Sequence, residues 1–361
     1  MYVEGKAEIR QGGAFLNPKA KFLRDISVAL IASKAGKGAK VLDATAGTGI
    51  RGIRYYLETK AKDLTMLDMN RSAFLAARRN LSLNGAKATL LNTSIQEFAN
   101  TTKERFDFID VDPFGGITPY VYDIMKVVKD GTHLMLTATD AAVLCGAHAD
   151  ACIRMYGSKP MHNELCHETG IRIMINYVAS VAAQFNFGVE PVVSLYYAHY
   201  MRIALRLVHG NNGAMASLGN TGYIHFCNTC GYWETEKAVI PRQRACRICR
   251  KRMPAYGRMW LGRLYERESM QSIAGMARGM ALGTAETRLL GKMLEEYDTP
   301  LFYSLPSMTK RMRLASSKPS SVASRLAAQG YTVTRTQFDD NGMKTDAGIS
   351  AFRAAIRYGN K

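Results

Sequence analysis

The sequence lacks any long apolar segment. No stretch of its 361 residues approaches the roughly 18 to 20 apolar residues that span a membrane. The opening residues, MYVEGKAEIRQGGAF, do not contain the apolar core of a signal peptide. Internal repeats and low-complexity tracts are also missing, and the apolar content of 47% is that of an ordinary globular protein. We therefore expect a cytoplasmic protein that does not associate with membranes.

Cysteines and acidic residues are both scarce. There are seven cysteines, and in a reducing compartment paired cysteines hold metal more often than they form disulfides. The chain has 30 Asp and Glu against 48 Lys and Arg, and residues 211–361 alone carry 23 Lys and Arg against 11 Asp and Glu. This asymmetry favours a polyanionic partner bound mainly by the second half. A solvated basic face is the alternative.

The first half alternates strand-like and helix-like segments. The strand-like segments are KVLDATAG, LTMLDMN, ATLLN, FDFIDV and THLMLTATD. Strands separated by helical segments of 10 to 15 residues are typical of a parallel sheet covered on both faces. The sequence therefore predicts an α/β fold, with a doubly wound sheet in a first domain, residues 1–210, and a smaller basic α+β domain over residues 211–361. In such sheets ligands bind beyond the carboxyl ends of the strands.

A glycine-rich turn follows the first predicted strand. Its sequence GTGIRG fits the dinucleotide-binding pattern G-x-G-x-x-G. The wider arrangement V-L-D-x-x-x-G-x-G, with Asp43, Gly47 and Gly49, is that of S-adenosylmethionine methyltransferases, where the glycines let the backbone approach the cofactor. Asp68, at the end of the second strand, would then accept hydrogen bonds from the ribose hydroxyls. Dinucleotide binding and a tight turn without a ligand are the alternatives.

The fourth predicted strand ends in DVDPFGG. A turn needs proline and glycine, but it does not need a carboxylate beside an aromatic ring. The nitrogen of a nucleobase amine is a poor nucleophile because its lone pair is delocalised, and Asp112 can accept the amine hydrogens. Pro113 fixes the chain so that a carbonyl points inward, and Phe114 offers a face for base stacking. The pattern favours an amino-group methyltransferase. A turn capped by Asp112, with Phe114 in the core, is the alternative.

Two cysteine pairs lie in the second half, within FCNTCGYWETEKAVIPRQRACRICRK. Two C-x2-C pairs at this spacing suit a tetrahedral structural zinc ion, and the four residues are Cys227, Cys230, Cys246 and Cys249. Disulfides or free thiols are the alternatives. Basic residues surround the second pair, and those at Arg247, Arg250 and Lys251 would neutralise phosphates without reading a base sequence.

Motifs along nearly the whole chain resemble those of one family. They include AFLNPKAKFLRDISV, LDATAGTGIRGIR, DVDPFGG, TATDAAVLCGAHADACIRMYG, ELCHETGIRI, HYMRIALRL, YGRMWLGRL, LFYSL and TRTQF, in the order of that family. The chain resembles the tRNA (guanine-26, N2) dimethyltransferase family in its archaeal and bacterial form. The resemblance implies S-adenosylmethionine-dependent dimethylation of a guanine exocyclic amine at the junction of the D arm and the anticodon arm. No protein partner is implied, and we expect a monomer.

The resemblance also implies which residues hold the cofactor. Arg24 matches an arginine that pairs with the cofactor carboxylate, Arg51 matches a second arginine on the cofactor side, and Asp68 matches the ribose acid. Near the adenine the family usually carries an acid and a small residue, where this chain has Ser94 and Ile95. Ser94 can still accept a hydrogen bond from the adenine amine, and Ile95 can still donate its backbone N–H.

On the substrate side, the resemblance implies that Phe15 and Phe114 bracket the flipped target base and that Asp112 is the catalytic acid. It assigns the C-terminal module to tRNA docking, with Arg335 and Lys344 as phosphate contacts. An amino methyltransferase acting on rRNA or on DNA adenine is the alternative enzyme. A non-enzymatic RNA-binding protein is opposed by the intact acids and glycines.

Three further cysteines and two histidines resemble the nucleophiles and bases of other enzyme classes. Cys145, Cys152 and Cys166 suggest an enzyme that methylates a pyrimidine carbon. An amine target needs no covalent intermediate, so we interpret these cysteines as small buried residues. We interpret His148 and His167 as hydrogen-bonded structural residues.

Overall fold

The computed structural model describes residues 1–315 and 317–357. The chain forms two compact units. Unit 1 comprises Met1–Asp140, Val178–Leu218 and Tyr265–Thr287. Unit 2 comprises Ala141–Tyr177, Gly219–Leu264 and the described residues from Arg288 onward. No helix in the described part of the chain has the length and apolar character needed to cross a membrane.

All strands of unit 1 precede residue 210. They are β1 (Tyr2–Glu4), β2 (Ala7–Ile9), β3 (Lys40–Asp43), β4 (Asp63–Leu67), β5 (Thr89–Leu91), β6 (Phe106–Val111), β7 (Val128–Ala138), β8 (Phe187–Tyr197) and β9 (Tyr200–His209). Strands β3 to β9 form one sheet in the order β5-β4-β3-β6-β7-β9-β8. The five strands predicted from sequence are confirmed as β3 to β7, and they pair in parallel.

The helices occur throughout the chain. They are α1 (Lys21–Lys34), α2 (Ile50–Glu58), α3 (Arg71–Leu83), α4 (Ile95–Thr101), α5 (Thr118–Ile124), α6 (Ala141–Leu144), α7 (Ala149–Tyr156), α8 (Cys166–Ala183), α9 (Asn211–Gly219), α10 (Arg267–Ala277), α11 (Thr284–Glu295), α12 (Leu305–Met312), α13 (Pro319–Ala327) and α14 (Ile349–Arg357). A 3-10 turn, Pro18–Ala20, precedes α1 and is capped by Asn17, whose side chain accepts from the Lys19 N–H.

The order of the sheet places a crevice between β3 and β6. Connections between parallel strands are right-handed, and the strand order reverses after β5. Helices α2 and α3 therefore lie on one face, where they contact each other, and α4 and α5 lie on the opposite face, where they also contact each other. Ligands bind at such a switch point, beyond the carboxyl ends of the strands.

The last two strands of the sheet were not predicted. Strands β9 and β8 extend it beyond β7 in antiparallel pairs, so the sheet is mixed rather than wholly parallel. Many of their residues are buried and apolar, such as Ile203, Leu205 and Leu207, but β9 also buries the charged Arg202. Arg202 and Arg206 interrupt the apolar residues of β9, so the segment lacks the continuous apolar run that would predict a buried strand.

A buried ion cluster holds the N-terminal hairpin β1–β2 to the helices of unit 1. Glu4 is almost inaccessible and accepts from Arg24 Nε and Arg54 Nη1, each at 2.7 Å. Burial alone would raise the pKa of Glu4, but the two arginines outweigh it and lower that pKa to about 2. The hairpin leads into the segment that carries Phe15, so this cluster helps to place the pocket wall described below.

Unit 2 is built from short antiparallel strands and helices. Its strands are β10 (Thr221–Phe226), β11 (Trp233–Glu236), β12 (Arg244–Ala245), β13 (Arg252–Met253), β14 (Ala255–Trp260), β15 (Tyr303–Ser304), β16 (Val333–Arg335) and β17 (Gly342–Thr345). They form the sheets β11-β10-β14, β12-β13 and β15-β17-β16. One core cluster joins strands to helices through residues such as Tyr303, Leu326 and Phe352. Unit 2 therefore contains the expected α+β elements.

The compact units do not follow a single division at residue 210. Residues 141–177 group with unit 2, where Lys159 pairs with Gly257 and Arg172 donates to the Trp260 carbonyl. Residues 265–287 group with unit 1, where α10 packs on α1 and β8. The domain ranges 1–210 and 211–361 stay a prediction from sequence.

Candidate active site

A cavity of about 560 Å³ opens at the carboxyl ends of β3, β4 and β6 in unit 1. This volume lies within the usual range for small-molecule sites. Segments that follow each of the strands β3 to β7 line the cavity together with residues before and within α1. Most residues predicted for cofactor and base binding line it: Phe15, Arg24, Gly47, Arg51, Asp68, Ser94, Ile95, Asp112, Pro113 and Phe114.

The turn after β3 depends on its glycines. Gly47 and Gly49 have φ of 55° and 85°, in the left-handed region that favours glycine. A side chain at Gly49 would also approach Met66 and Ala77 to 3.2 and 3.3 Å. The turn thereby presents backbone N–H groups and the start of α2 to the cavity.

Asp43 lies beneath this turn and does not line the cavity. Its Oδ2 accepts from the Gly52 N–H at 3.0 Å, so its observed contact supports the start of α2. Burial first, and then the nearby Asp110, raise the pKa of Asp43 to about 7. The structure therefore places Asp43 as a buried support for the turn, whereas Gly47 forms part of the wall.

Asp68 links the second strand to the glycine turn. Its Oδ2 accepts from the Gly47 N–H and its Oδ1 accepts from the Asn70 N–H, each at 2.8 Å. An ionised carboxylate has about four acceptor sites, so two remain for vicinal hydroxyls. The N–H contacts fix the carboxylate at the cavity wall before any ligand arrives.

Ser94 and Ile95 stand at the start of α4. The Ser94 hydroxyl caps the helix by accepting from the Glu97 N–H at 3.1 Å. Ile95 is the first helical residue, and N–H groups in the first turn have no partner inside the helix. The cavity wall at this point therefore offers a hydroxyl proton and a backbone donor.

The Asp112 carboxylate is fixed by hydrogen bonds from Arg51. Arg51 donates to Asp112 Oδ2 from Nε at 3.1 Å and from Nη2 in a shorter contact, while the Asp112 N–H donates to Thr45 Oγ1 at 2.8 Å. The Nη1 of Arg51 lies 3.5 Å from Asp110 Oδ2. Arg51 was predicted only as a residue on the cofactor side, and its contacts place it against the predicted catalytic carboxylate.

Asp110 anchors this network below the cavity floor. It accepts from Arg202 Nη2 at 2.7 Å and from the Tyr55 hydroxyl. Burial would raise the pKa of Asp110, but Arg202 and Arg51 outweigh it and lower that pKa. Arg51 thus lies between two carboxylates, Asp110 and Asp112.

Phe15 and Phe114 form an exposed pair at the cavity. Their side chains are 60% and 75% exposed, unusual for phenylalanine. The ring centroids lie 4.8 Å apart at 68°, an edge-to-face contact. Phe114 is therefore not a core residue. The Gly115 N–H donates to Thr139 Oγ1 at 2.8 Å, which holds the loop that carries Phe114.

Arg24 lines the cavity but already has a partner. Its Nε and Nη2 form a two-point ion pair with Glu4, at 2.7 and 2.5 Å, and Nη1 donates to the Asn17 carbonyl at 3.1 Å. An anion bound at Arg24 would share the guanidinium with Glu4. Glu4 was not predicted from sequence as the partner of Arg24, because it lies in the short hairpin β1–β2, outside every motif.

Other wall residues were missed from sequence. Asn17 Nδ2 donates to the Tyr200 hydroxyl at 2.5 Å, and both residues line the cavity. Thr45, Thr139 and Tyr120 also line it. The motif NPK contains a capping asparagine, but Tyr200 begins β9, an antiparallel strand whose pairing the sequence pattern did not reveal.

In unit 2, the four predicted metal ligands come together. Their sulfur atoms all lie within 4.8 Å of one another, with Cys227 and Cys249 Sγ 3.4 Å apart and Cys230 and Cys246 Sγ 3.5 Å apart. Zinc–sulfur bonds of about 2.3 Å in a tetrahedron place sulfurs about 3.8 Å apart. The cluster is compatible with a structural zinc ion.

The two cysteine pairs have matching backbone turns. The Gly231 N–H donates to the Cys227 carbonyl, and the Arg250 N–H donates to the Cys246 carbonyl, at 2.8 and 2.9 Å. Gly231 and Arg250 both have positive φ, at 79° and 62°. Such turns aim backbone N–H groups at the sulfurs, and the Lys251 N–H lowers the pKa of the Cys249 thiol to about 7.

The predicted phosphate contacts differ in their surroundings. Arg247 is 71% exposed, and its Nε lies 3.3 Å from Glu234 Oε2, while Arg250 and Lys251 are exposed on the same turn. Arg335 is half-buried and donates to the Asp340 carbonyl. The assignment of these four residues as phosphate contacts stays a prediction.

Lys344 requires a correction. Only 2% of the residue is exposed, and its Nζ lies 3.2 Å from Glu168 Oε2 and 3.3 Å from Glu296 Oε1. The Thr299 carbonyl accepts from the same Nζ at 2.9 Å. An ammonium group in this buried network is not presented to a phosphate, so Lys344 has a structural role in unit 2.

The remaining cysteines are not equally buried. Cys152 is fully buried, as predicted, but Cys145 and Cys166 are only half-buried. Their thiol sulfurs and one ring nitrogen of His167 lie within 4.8 Å of one another. Cys145 and Cys166 were predicted to be buried small residues, and this prediction is wrong because both are half-buried.

Comparisons with known proteins cover almost the whole chain. The family described as N2,N2-dimethylguanosine tRNA methyltransferase matches residues 3–357. The tRNA (guanine(26)-N(2))-dimethyltransferase of Pyrococcus abyssi is 34% identical over 97% of this chain and 96% of its own length. The protein of the same name from Methanosphaera stadtmanae is 30% identical, over 95% and 90%. The structure of Trm1 from Pyrococcus horikoshii with S-adenosyl-L-methionine superposes with a TM-score of 0.91, 32% identity and 98% coverage of both chains.

Proposed function

The chain belongs to the N2,N2-dimethylguanosine tRNA methyltransferase family, and from this premise we propose that it is a tRNA (guanine-26, N2)-dimethyltransferase that uses S-adenosylmethionine. The observation that carries the proposal within the site is the placement of a fixed carboxylate, Asp112, beside two exposed aromatic rings in the cavity of unit 1. The glycine turn and Asp68 line the same cavity, and their donors and acceptors suit a nucleoside cofactor.

The residues of the cavity fit that cofactor. Asp68 would accept from the ribose hydroxyls, Gly47 lets the backbone approach the ligand, and Ser94 and Ile95 would contact the adenine. Arg24 would share its guanidinium between Glu4 and the cofactor carboxylate. When bound, S-adenosylmethionine supplies an electrophilic methyl group on a sulfonium centre.

Asp112 would act on the guanine amine. Because Arg51 occupies Oδ2 from two of its nitrogens, Oδ1 is the oxygen placed to accept from the amine. That hydrogen bond orients the N2 lone pair and stabilises the positive charge that develops as the nitrogen is alkylated. After transfer the amine proton would pass to Asp112 Oδ1 and from there to solvent, which reaches this side chain because it is 22% exposed. The Pro113 carbonyl is the second acceptor that we propose for the amine hydrogens.

The aromatic pair would receive the base. A guanine stacked inside the tRNA cannot reach the cavity, so it must be flipped out at a cost of a few kcal/mol. Stacking on aromatic rings returns about 1–3 kcal/mol per base. Phe15 and Phe114 contact each other edge to face, so a base bracketed by both rings requires them to separate.

Unit 2 would bind the body of the tRNA. The exposed cations on the second cysteine turn, with Arg335, are the proposed phosphate contacts, and the turn itself would be kept folded by structural zinc. We propose that the protein acts as a monomer in the cytoplasm, a reducing compartment in which paired cysteines more often hold metal than form disulfides.

Methyl transfer to defined nucleic acids tests the proposed function. We expect labelled methyl groups to pass from S-adenosylmethionine to an unmodified tRNA transcript. They should not pass to the matched transcript with adenine in place of guanine 26. Preferential labelling of rRNA or of DNA adenine would contradict the proposal and favour the alternative amino methyltransferase.

A further inference from the structure

A second cluster of metal-binding side chains lies in unit 2, apart from the four-cysteine cluster in sequence. Cys145 follows α6, Cys166 is the first residue of α8, and His167 is the next residue. Two thiol sulfurs and one imidazole nitrogen lie within 4.8 Å of one another. All three residues are half-buried, so an ion can reach them from solvent.

We propose that Cys145, Cys166 and His167 form a second metal site, for zinc or another divalent cation that prefers thiolate and imidazole ligands. Two thiolates and one imidazole are a ligand set that zinc binds in proteins, and three protein ligands leave a fourth coordination position for water. Harder ions such as Mg²⁺ and Ca²⁺ prefer oxygen ligands, which this set does not include.

The surroundings orient the ligands as metal sites require. His167 Nδ1 lies 3.5 Å from the Phe338 carbonyl oxygen. A ligating histidine commonly gives its other ring N–H to such an acceptor, which makes Nε2 the expected ligating atom. His162 makes a similar contact, with Nδ1 3.0 Å from the Cys145 carbonyl oxygen, and so holds the backbone that carries the first thiol.

The loop beside Cys145 is also constrained. Gly146 has φ of 84°, and a side chain there would approach the Met161 carbonyl oxygen and His162 Cβ to 3.0 Å. The chain must therefore pass close to residues 161 and 162, which keeps Cys145 near the start of α8. These contacts predict a preformed site whose thiols lose their protons when the metal binds.

Metal analysis of site variants of the full-length chain tests the proposal, independently of the methylation activity. Protein purified with a reductant should bind two zinc ions per chain. The Cys145→Ala/Cys166→Ala variant should bind one, and the Cys246→Ser/Cys249→Ser variant should also bind one. The matched control Cys152→Ala, which removes a buried thiol outside both clusters, should still bind two.

A cobalt titration keeps the test decisive if a variant does not fold. Wild-type protein stripped of metal should show two thiolate-bound cobalt ions by absorption spectroscopy, and His167→Ala should weaken only one of them. One equivalent in the wild type, or two in the folded Cys145→Ala/Cys166→Ala variant, would overturn the proposal. A Cys145–Cys166 disulfide found by mass spectrometry in the reduced preparation would also overturn it.

Discussion

Replacing Asp112 with asparagine should abolish most of the methyl transfer while leaving the cavity in place. In the wild type, Arg51 donates twice to Oδ2, and the proposed role of the other oxygen is to accept from the guanine amine. An asparagine has a single oxygen. If that oxygen keeps the contact with Arg51, the NH₂ group faces the amine, and two donors oppose each other.

The size of the effect follows from the loss of one hydrogen bond that strengthens in the transition state. Removing such a contact typically costs about 100-fold or more in rate, or about 2.7 kcal/mol. We therefore expect Asp112→Asn to fall by about 100-fold in single-turnover rate at saturating tRNA and cofactor. Affinity for S-adenosylmethionine, measured by calorimetry, should change little.

A stability measurement separates this effect from unfolding. Asp112→Ala leaves Arg51 without its closest partner, and breaking a fully buried ion pair costs about 3–5 kcal/mol. The cost here should be smaller, because the Asp112 side chain is 22% exposed and Arg51 keeps Asp110 at 3.5 Å. Near wild-type turnover in either folded variant would refute the role of Asp112.

Four further predictions concern separate parts of the molecule. Phe114→Ala should lower the single-turnover rate with tRNA affinity nearly intact, and an unchanged rate would exclude this ring from base binding. Asp43→Asn should flatten the pH dependence of the free energy of unfolding. Burial and Asp110 raise the pKa of the Asp43 carboxyl from 3.8 to about 7 in the folded protein, so a stabilising contribution of about 4 kcal/mol present below pH 3.8 is lost as the pH rises to 7. Denaturant unfolding of wild type and variant at several pH values measures this loss. Chelation of zinc should lower the thermal stability of the protein, and calorimetry that shows no change would contradict a structural metal. Neutral substitutions of Arg247, Arg250 and Lys251 on the second cysteine turn should weaken tRNA binding. They should also lower the slope of log K against log salt by about one per lost phosphate contact, and an unchanged slope would mean that these residues do not touch tRNA.

The sequence predicted the parts of the site that are encoded locally. Each of the strands β3, β4 and β6 is followed at once by predicted site residues. GTGIRG follows β3, Asp68 follows β4, and β6 ends in DVDPFGG. The carboxyl ends of parallel strands meet at one edge, so Asp68 and Asp112 were expected near the same cavity. The structure brings both to its wall.

Contacts between distant segments could not be predicted in this way. The pair of Glu4 and Arg24 depends on how the N-terminal hairpin packs, and the pair of Arg51 and Asp112 depends on the spacing of two strands. Lys344 was assigned to phosphate binding because the resemblance assigns the C-terminal module to tRNA docking. Its burial follows from Glu168, which lies 176 residues away in the chain.

The identity of the methylated nucleoside tests the central claim most directly. Unmodified tRNA incubated with the protein and S-adenosylmethionine should be digested to nucleosides and analysed by mass spectrometry. We predict N2-methylguanosine at early times and N2,N2-dimethylguanosine at later times, both lost when guanine 26 is replaced. Methylation at another atom, on another base, or of neither nucleoside would contradict the account.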